Sequence, residues 1–381
     1  MFMQILHCKW LQMLLGPITT FTLIVMVGVG GFAACAHLPT TQAAPMNHQA
    51  PCHSIQLPVA LTPGGTKQST IFATFCQPQQ DTSSTVIITY HGNSYAQYYW
   101  DFPYQPERYS FVKAMQEQGY AVLNMDRLAV DHAYTAPNPA QTPGAEVSMA
   151  TDNFALHQVV QALRDGKLGA TFAKVILAGH SLGGYLAWQA GKDYPGDFDG
   201  FIITGSTHPL SASATTRVIP LLVPAAQNPK FAQAGLDAEY FAYKAGTRSF
   251  YYYLPNADRK VIDIDNQLMQ VTVKQELIDG IGLESTGVSR SIHVPVLVVL
   301  GHYDLFACEP DAITTCNDHT VYQAESPFYS PQACLQVKVI PNSGHDLNLQ
   351  KNARVWYAAA GNWIDAFVVH HHHACGTRSA V

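Results

Sequence analysis

The stretch "VILAGHSLGGYLAWQAG", residues 175–191, changes character in its middle. It opens as an apolar run, Val175 to Ala178, of the kind that fills a strand buried on both faces. It closes as a helix, Tyr185 to Ala190, and between the two stand Gly179, Gly183 and Gly184 around a lone Ser181. Gly179-His180-Ser181-Leu182-Gly183 fits G-x-S-x-G, a serine set on a sharp strand-to-helix turn. Flanking glycines let backbone pass close by, so the serine can take a strained conformation and project its hydroxyl. The helix that starts there aims N–H groups at the same point, which favours developing negative charge.

A serine hydroxyl is a poor nucleophile until a neighbour takes its proton. That base needs a pKa near neutrality, so a histidine is expected, with a carboxylate to hold its tautomer. "VLGHYD" (299–304) ends one apolar run and delivers Asp304; "PNSGHD" (341–346) follows the last strand and delivers His345. Glu309 and Asp311 lie close enough in sequence to be alternatives for the acid, whereas "TGSTHP" (204–209) has no carboxylate to offer. His91 and His180 read as structural histidines that bond nearby backbone, and Asp346 as a residue that caps or orients the loop of His345.

The rest of the chain alternates short strands with helices. "SIQLPVAL" (54–61) and "STIFATFCQ" (69–77) read as paired strands, and "TVIITYHG" (85–92) as a buried one. A helix over 107–119, the strand "YAVLNMD" (120–126) and the helical spacing of Leu156, Val159, Val160 and Leu163 follow. "FDGFIITGS", "VPVLVVLGHYD" and "LQVKVIPNSGHD" supply further strands, and Trp356, Ala360, Trp363 and Phe367 share one face of a last helix. This rhythm predicts an α/β fold with a mostly parallel central sheet and helices on both faces. It stops once, over 207–290, where "FAQAGLDAEYFAYKAG" and "VTVKQELIDGIG" suggest an inserted, largely helical cap. The expected organisation is a leader at 1–36, a linker at 37–53, core at 54–206 and 291–368 around the cap, and a tail at 369–381.

From about residue 85 to 368 the chain resembles an α/β-hydrolase, with Ser181, Asp304 and His345 in that family's order. By position the resemblance implies an oxyanion hole from the backbone N–H groups of Asn93, in "YHGNS", and Leu182. "DRLAV" (126–130) departs from the glycine-rich version common in relatives, so that loop is expected to be shaped differently. The implied activity is hydrolysis of a small-molecule carboxylic ester through an acyl-enzyme, with no metal or organic cofactor. The same fold and residues serve amidases, peptidases, lactonases and cofactor-free haloperoxidases, and a non-catalytic surface binding protein is the reading outside enzymes. "NSYAQYYWDFPY" (93–104) and "FYYY" (250–253) are dense in aromatics, which suggests a pocket walled by Tyr95, Trp100 and Tyr252. A cap roofing Ser181 would favour small or medium soluble esters over insoluble triglycerides.

With 381 residues, 48% hydrophobic and only 13% charged, the chain can bury a sizeable core. A net charge of −6 without a basic stripe excludes nucleic acid as an expected partner. No formal charge lies between Lys9 and Lys67, and "ITTFTLIVMVGVGGFAACA" (18–36) is almost wholly apolar. That segment reads as an export signal, with "FAAC" resembling a lipoprotein cleavage site that would lipidate Cys35. Ordinary signal cleavage at Ala34-Cys35-Ala36, or an uncleaved membrane anchor, are the alternatives. The protein is therefore expected outside the cytoplasm: secreted, periplasmic or anchored to the outer side of a membrane. Cys52, Cys76, Cys308, Cys316, Cys334 and Cys375 form an even set, read as disulfides in an oxidising compartment, with pairing open. "VVHHHHAC" (368–375) reads as a solvated tail.

Overall fold

The apolar runs become the strands of one sheet. The computed structural model describes residues 52–78, 84–128, 130 and 142–370. The leader with Cys35, the linker up to residue 51, and the tail from 371 with Cys375 lie outside the described residues. In chain order the first strands are β1 (Cys52–Ala60), β2 (Lys67–Cys76), β3 (Thr85–Tyr90), β4 (Ala121–Met125), β5 (Lys174–His180) and β6 (Gly200–Thr204). The inserted segment adds β7 (Leu222–Pro224), β8 (Tyr240–Tyr243) and β9 (Thr272–Val273), and the chain returns with β10 (Val296–Gly301) and β11 (Gln336–Ile340). The main sheet has the order β1-β2-β4-β3-β5-β6-β10-β11. β1, β2 and β4 pair antiparallel, and all pairings from β4 to β11 are parallel.

Strand alternation sends neighbouring side chains to two separate cores. Val86, Ile88, Val175, Leu177 and Val298 share one with Leu156, Val159 and Leu186, from the helices Met149–Arg164 and Leu182–Asp193. Ile87, Ile176, Ala178, Leu297 and Val299 share the other with Met115, Trp356 and Trp363, from Phe111–Glu117 and Ala353–Trp363. Burial on both faces explains why β3 and β5 read as continuous apolar runs rather than alternating ones. The chain is an α/β protein with a mostly parallel sheet between helical layers.

Two local expectations change. The helix expected over 107–119 is broken into Pro106–Tyr109 and Phe111–Glu117. Ser110 is extended (φ −91°, ψ 113°) and accepts a hydrogen bond from Lys113 N, so its side chain restarts the helix as an N-cap. Within 207–290, the helices Ala212–Val218, Arg259–Leu268 and Lys274–Leu283 are joined by a three-stranded antiparallel sheet, β7-β8-β9. The segment thus carries a small sheet of short strands in addition to its helices.

Disulfides join Cys52 to Cys76, which sit directly opposite each other in the β1/β2 ladder, and Cys308 to Cys316 in the stretch after β10. Cys334 is disulfide-bonded as well. A buried ion pair ties the inserted segment to the loop after β4. Arg127, from "DRLAV", meets Glu276 of the helix Lys274–Leu283, and its other nitrogen donates to Gly92 O at 3.4 Å. The departure noted in that loop thus includes a buried cation. Glu276→Gln strips the carboxylate charge that pairs with the buried Arg127. A stability loss of about 3–5 kcal/mol is expected, read as a lower unfolding midpoint in denaturant.

Candidate active site

The parallel strands end on one edge, where α/β sheets gather their ligands. β3 delivers His91 to Asn93, β5 delivers Ser181, β6 delivers Gly205 and Ser206, β10 delivers Asp304, and β11 delivers His345.

Ser181 has φ 53° and ψ −121°, a conformation that costs a non-glycine residue about 1–3 kcal/mol. Its surroundings hold it there. Ser181 N donates to Thr204 O at 2.8 Å. Its carbonyl accepts from Gly184 N at 2.8 Å and Ser206 Oγ at 2.7 Å. The glycines are needed because the turn is crowded. A Cβ on Gly179 would lie 2.3 Å from Gly183 O, and one on Gly183 would lie 2.2 Å from Tyr90 O. Although Ser181 occupies the N-cap of the helix Leu182–Asp193, its hydroxyl makes no capping bond. The side chain is half-buried and lines a cavity.

His345 and Asp304 come together as a buried pair, Nδ1 to Oδ2 at 2.9 Å. The other carboxylate oxygen accepts from Phe306 N at 2.9 Å, which fixes its orientation. His345 Nε2 is buried and has no hydrogen-bond partner among the described residues. Burial disfavours the imidazolium, but the charge and hydrogen bond of Asp304 outweigh it, so the pKa of His345 stands above its ordinary value. Gly205 (φ +64°) makes room here, since a Cβ would sit 3.0 Å from Cε1 of both His345 and His180. The alternative carboxylates face elsewhere: Glu309 pairs with Arg217 at 3.0 Å, and Asp311 accepts from Ser211 Oγ at 2.7 Å.

Behind the pair lies a wholly buried layer. Asp346 accepts a hydrogen bond from Tyr95 Oη at 2.5 Å, and its other oxygen stands 3.8 Å from His180 Nε2. Burial pushes the Asp346 carboxyl up to about 6. His180 bonds Thr204 Oγ1 at 3.0 Å and stacks on Tyr99 at 4.1 Å, and burial, followed by His345, holds its pKa well below the usual value. His91 bonds Gly92 O and accepts from Arg127 N. Arg248, fully buried, bonds Asp265 at 3.2 Å and Ser94 Oγ at 2.7 Å and lies 3.9 Å over the Tyr95 ring.

The backbone N–H groups of Asn93 and Leu182 are engaged by no other backbone group among the described residues. Leu182 opens its helix, so no carbonyl one turn earlier is available to its N–H. Both residues line a cavity of about 360 Å³ with Ser181. Its wall comes largely from the inserted segment and includes Val218, Leu222, Phe241, Tyr243, Tyr251 and Leu277.

Tyr95, Trp100 and Tyr252 are not in that wall. Tyr95 is used by Asp346 and Arg248. Trp100 packs edge-on against Phe111 and Trp356 in the core. Tyr252 turns its hydroxyl to Asp265 at 2.9 Å. Aromatic density therefore marked a packed layer below the site. The tyrosines that do face the cavity, Tyr243 and Tyr251, carried a subtler signal. "YFAY" (240–243) alternates as a strand does, which puts Phe241 and Tyr243 on one face. Among the described residues, no group of three or more His, Cys, Asp or Glu is placed to hold a metal ion.

Residues 86–359 match the model of the alpha/beta hydrolase family, and the chain belongs to that family. It is a hydrolase by class. Its fold is similar to that of a soluble variant of monoglyceride lipase from Saccharomyces cerevisiae (14% identity, 79% of this chain and 93% of that one, TM-score 0.54). It is also similar to an esterase from Exiguobacterium antarcticum (13% identity, 81% and 98%, TM-score 0.56). A carboxylesterase from Bacillus subtilis is a third such structure (16% identity, 83% and 91%, TM-score 0.51). No curated protein sequence matches the chain significantly.

Proposed function

We propose that the protein is an exported carboxylic ester hydrolase that works through an acyl-enzyme on Ser181. His345 Nε2 takes the proton of Ser181 Oγ as the oxygen attacks the carbonyl. Asp304 holds Nδ1–H and so presents the free nitrogen to the serine. The N–H groups of Asn93 and Leu182 receive the oxyanion, and His345 returns the proton to the departing alkoxide. Water then repeats the sequence and releases the acid.

The observation that carries this reading is the buried pair of His345 and Asp304, with Nε2 left unpartnered, at the same sheet edge as a serine whose hydroxyl caps nothing. Residues 207–290 act as a cap that supplies most of the cavity wall. A cavity of about 360 Å³ is at the small end of ligand sites, which favours small or medium acyl groups. The apolar segment 18–36 supports export, with Cys35 as the residue a lipid would modify. Cross-strand and loop disulfides suit an oxidising compartment.

The test is labelling by a fluorophosphonate probe together with turnover of p-nitrophenyl esters of graded chain length. Labelling and a kcat/KM that falls from medium to long chains are expected. Labelling without ester turnover would move the substrate to an amide or lactone, and absence of labelling would end the serine-hydrolase reading.

A further inference from the structure

The cavity wall holds one polar corner that the steps above do not use. Tyr243 and Tyr251, from the inserted segment, meet Asn93, from the loop after β3. All three are buried and all three line the cavity. The Tyr251 hydroxyl donates to Tyr243 Oη at 2.8 Å, and the Asn93 side-chain amide donates to the same oxygen at 3.1 Å. Tyr243 Oη therefore accepts twice, and its own hydrogen meets no acceptor among the described residues.

The count is robust to the amide's orientation. Each phenol brings one hydrogen and the amide two, and the two bonds just named use two of these four. With the amide turned over, Tyr243 would donate to Asn93 Oδ1 and both amide hydrogens would be left instead. Either way the three side chains bring four hydrogens and make two bonds among themselves, so two hydrogens are left for a further acceptor. Asn93 Oδ1 itself is buried without a partner, so the amide is not satisfied elsewhere. Burial pushes the pKa of both phenols up, so both keep their hydrogens at neutral pH. The neighbouring wall, Leu182, Val218, Leu222, Phe241 and Phe306, is apolar. A carbonyl oxygen that enters the cavity can meet these donors.

We propose that this corner, with the Tyr243 hydroxyl at its centre, donates a third hydrogen bond to the substrate's carbonyl oxygen. The proposal rests on the ester-hydrolase reading and adds to it a catalytic group from the inserted segment. As Ser181 Oγ bonds the carbonyl carbon, the C=O π pair moves onto oxygen and the serine proton passes to His345 Nε2. The donors at Asn93 N, Leu182 N and the Tyr243 corner then face a full negative charge. Tyr243 transfers no proton. When the tetrahedral intermediate collapses, the C–O bond to the alcohol breaks, the alkoxide takes the proton from His345, and the third bond weakens again. A bond that strengthens only in the transition state raises kcat rather than affinity.

Tyr243→Phe tests this while keeping the ring that packs on Phe250 and Tyr251. Tyr251→Phe is the control, because it removes a donor to Tyr243 and leaves the Tyr243 hydrogen in place. Tyr243→Phe is expected to lower kcat about 10²-fold with KM unchanged, the size seen for loss of one oxyanion donor. Affinity for a tetrahedral boronic acid inhibitor should fall with it, and Tyr251→Phe should change kcat far less. Wild-type kcat in Tyr243→Phe, an effect confined to KM, or equal losses in the two variants would overturn the proposal. Wild-type protein inert to both probe and esters would instead remove the reading beneath it.

Discussion

Ser181→Ala should lose about 10⁶-fold in ester turnover, the loss seen where nucleophile, base and acid act as one unit. What remains would come from the oxyanion donors and from binding, which the substitution leaves in place. Fluorophosphonate labelling should vanish with turnover, since the bond formed is to Ser181 Oγ itself. Stability gives an independent readout of the turn. Alanine inherits the strain of φ 53°, while glycine does not, so Ser181→Gly should unfold later than Ser181→Ala. The difference expected is of the order of 1 kcal/mol. Retained labelling of Ser181→Ala would move the nucleophile, and an unchanged unfolding midpoint across the pair would remove the strain argument.

How far the sequence announces this site depends on where chemistry and backbone constraint coincide. Ser181 was legible because three effects write to the same residues. Strand burial requires the apolar run, crowding at Gly183 and Tyr90 forbids a Cβ, and a helix must begin at once. Asp304 and His345 were legible because each follows a strand of the parallel part of the sheet, β10 inside it and β11 at its edge. The wall of the cavity was not, because burial treats all aromatics alike. Tyr95 and Trp100 sit in an aromatic stretch just beyond the loop of Asn93, yet both are packed below the site. The inserted segment was harder still. Its strands are two to four residues long, too short for a period-2 pattern to stand out from helical spacing. Arg127 and Arg248 show a further limit. Each is a buried cation whose partner, Glu276 or Asp265, is chosen by the tertiary fold, and no local spacing points to the pairing. Arg248 nonetheless matters to the site, for it bonds Ser94 beside Asn93 and covers the Tyr95 that holds Asp346.

Asp304→Asn should cost about 10³ to 10⁴ in turnover while leaving the protein folded. The reason lies in the proton on His345. An Asp304 carboxylate accepts from Nδ1–H and leaves Nε2 bare toward Ser181, whereas an asparagine can turn its NH₂ to Nδ1 and put the hydrogen on Nε2. A histidine in that tautomer cannot accept the serine proton. The pH profile should move as well, and its direction follows from the opposing causes. Burial lowers the pKa of His345, the charge and hydrogen bond of Asp304 raise it, and the balance is upward. Because the base must be neutral to act, wild-type activity should fall with acid at a pH above that of an ordinary histidine. Removing the Asp304 charge leaves burial in control, so the acid limb of kcat/KM should shift to lower pH even as the plateau drops. Asp346, held at about 6 and buried against the same layer, remains in the variant and keeps part of the upward pull. Glu309→Gln is the matched control, since Glu309 pairs with Arg217 at the surface and does not face the histidine. A larger loss at Glu309 than at Asp304, or an acid limb that moves upward in Asp304→Asn, would take the acid away from Asp304.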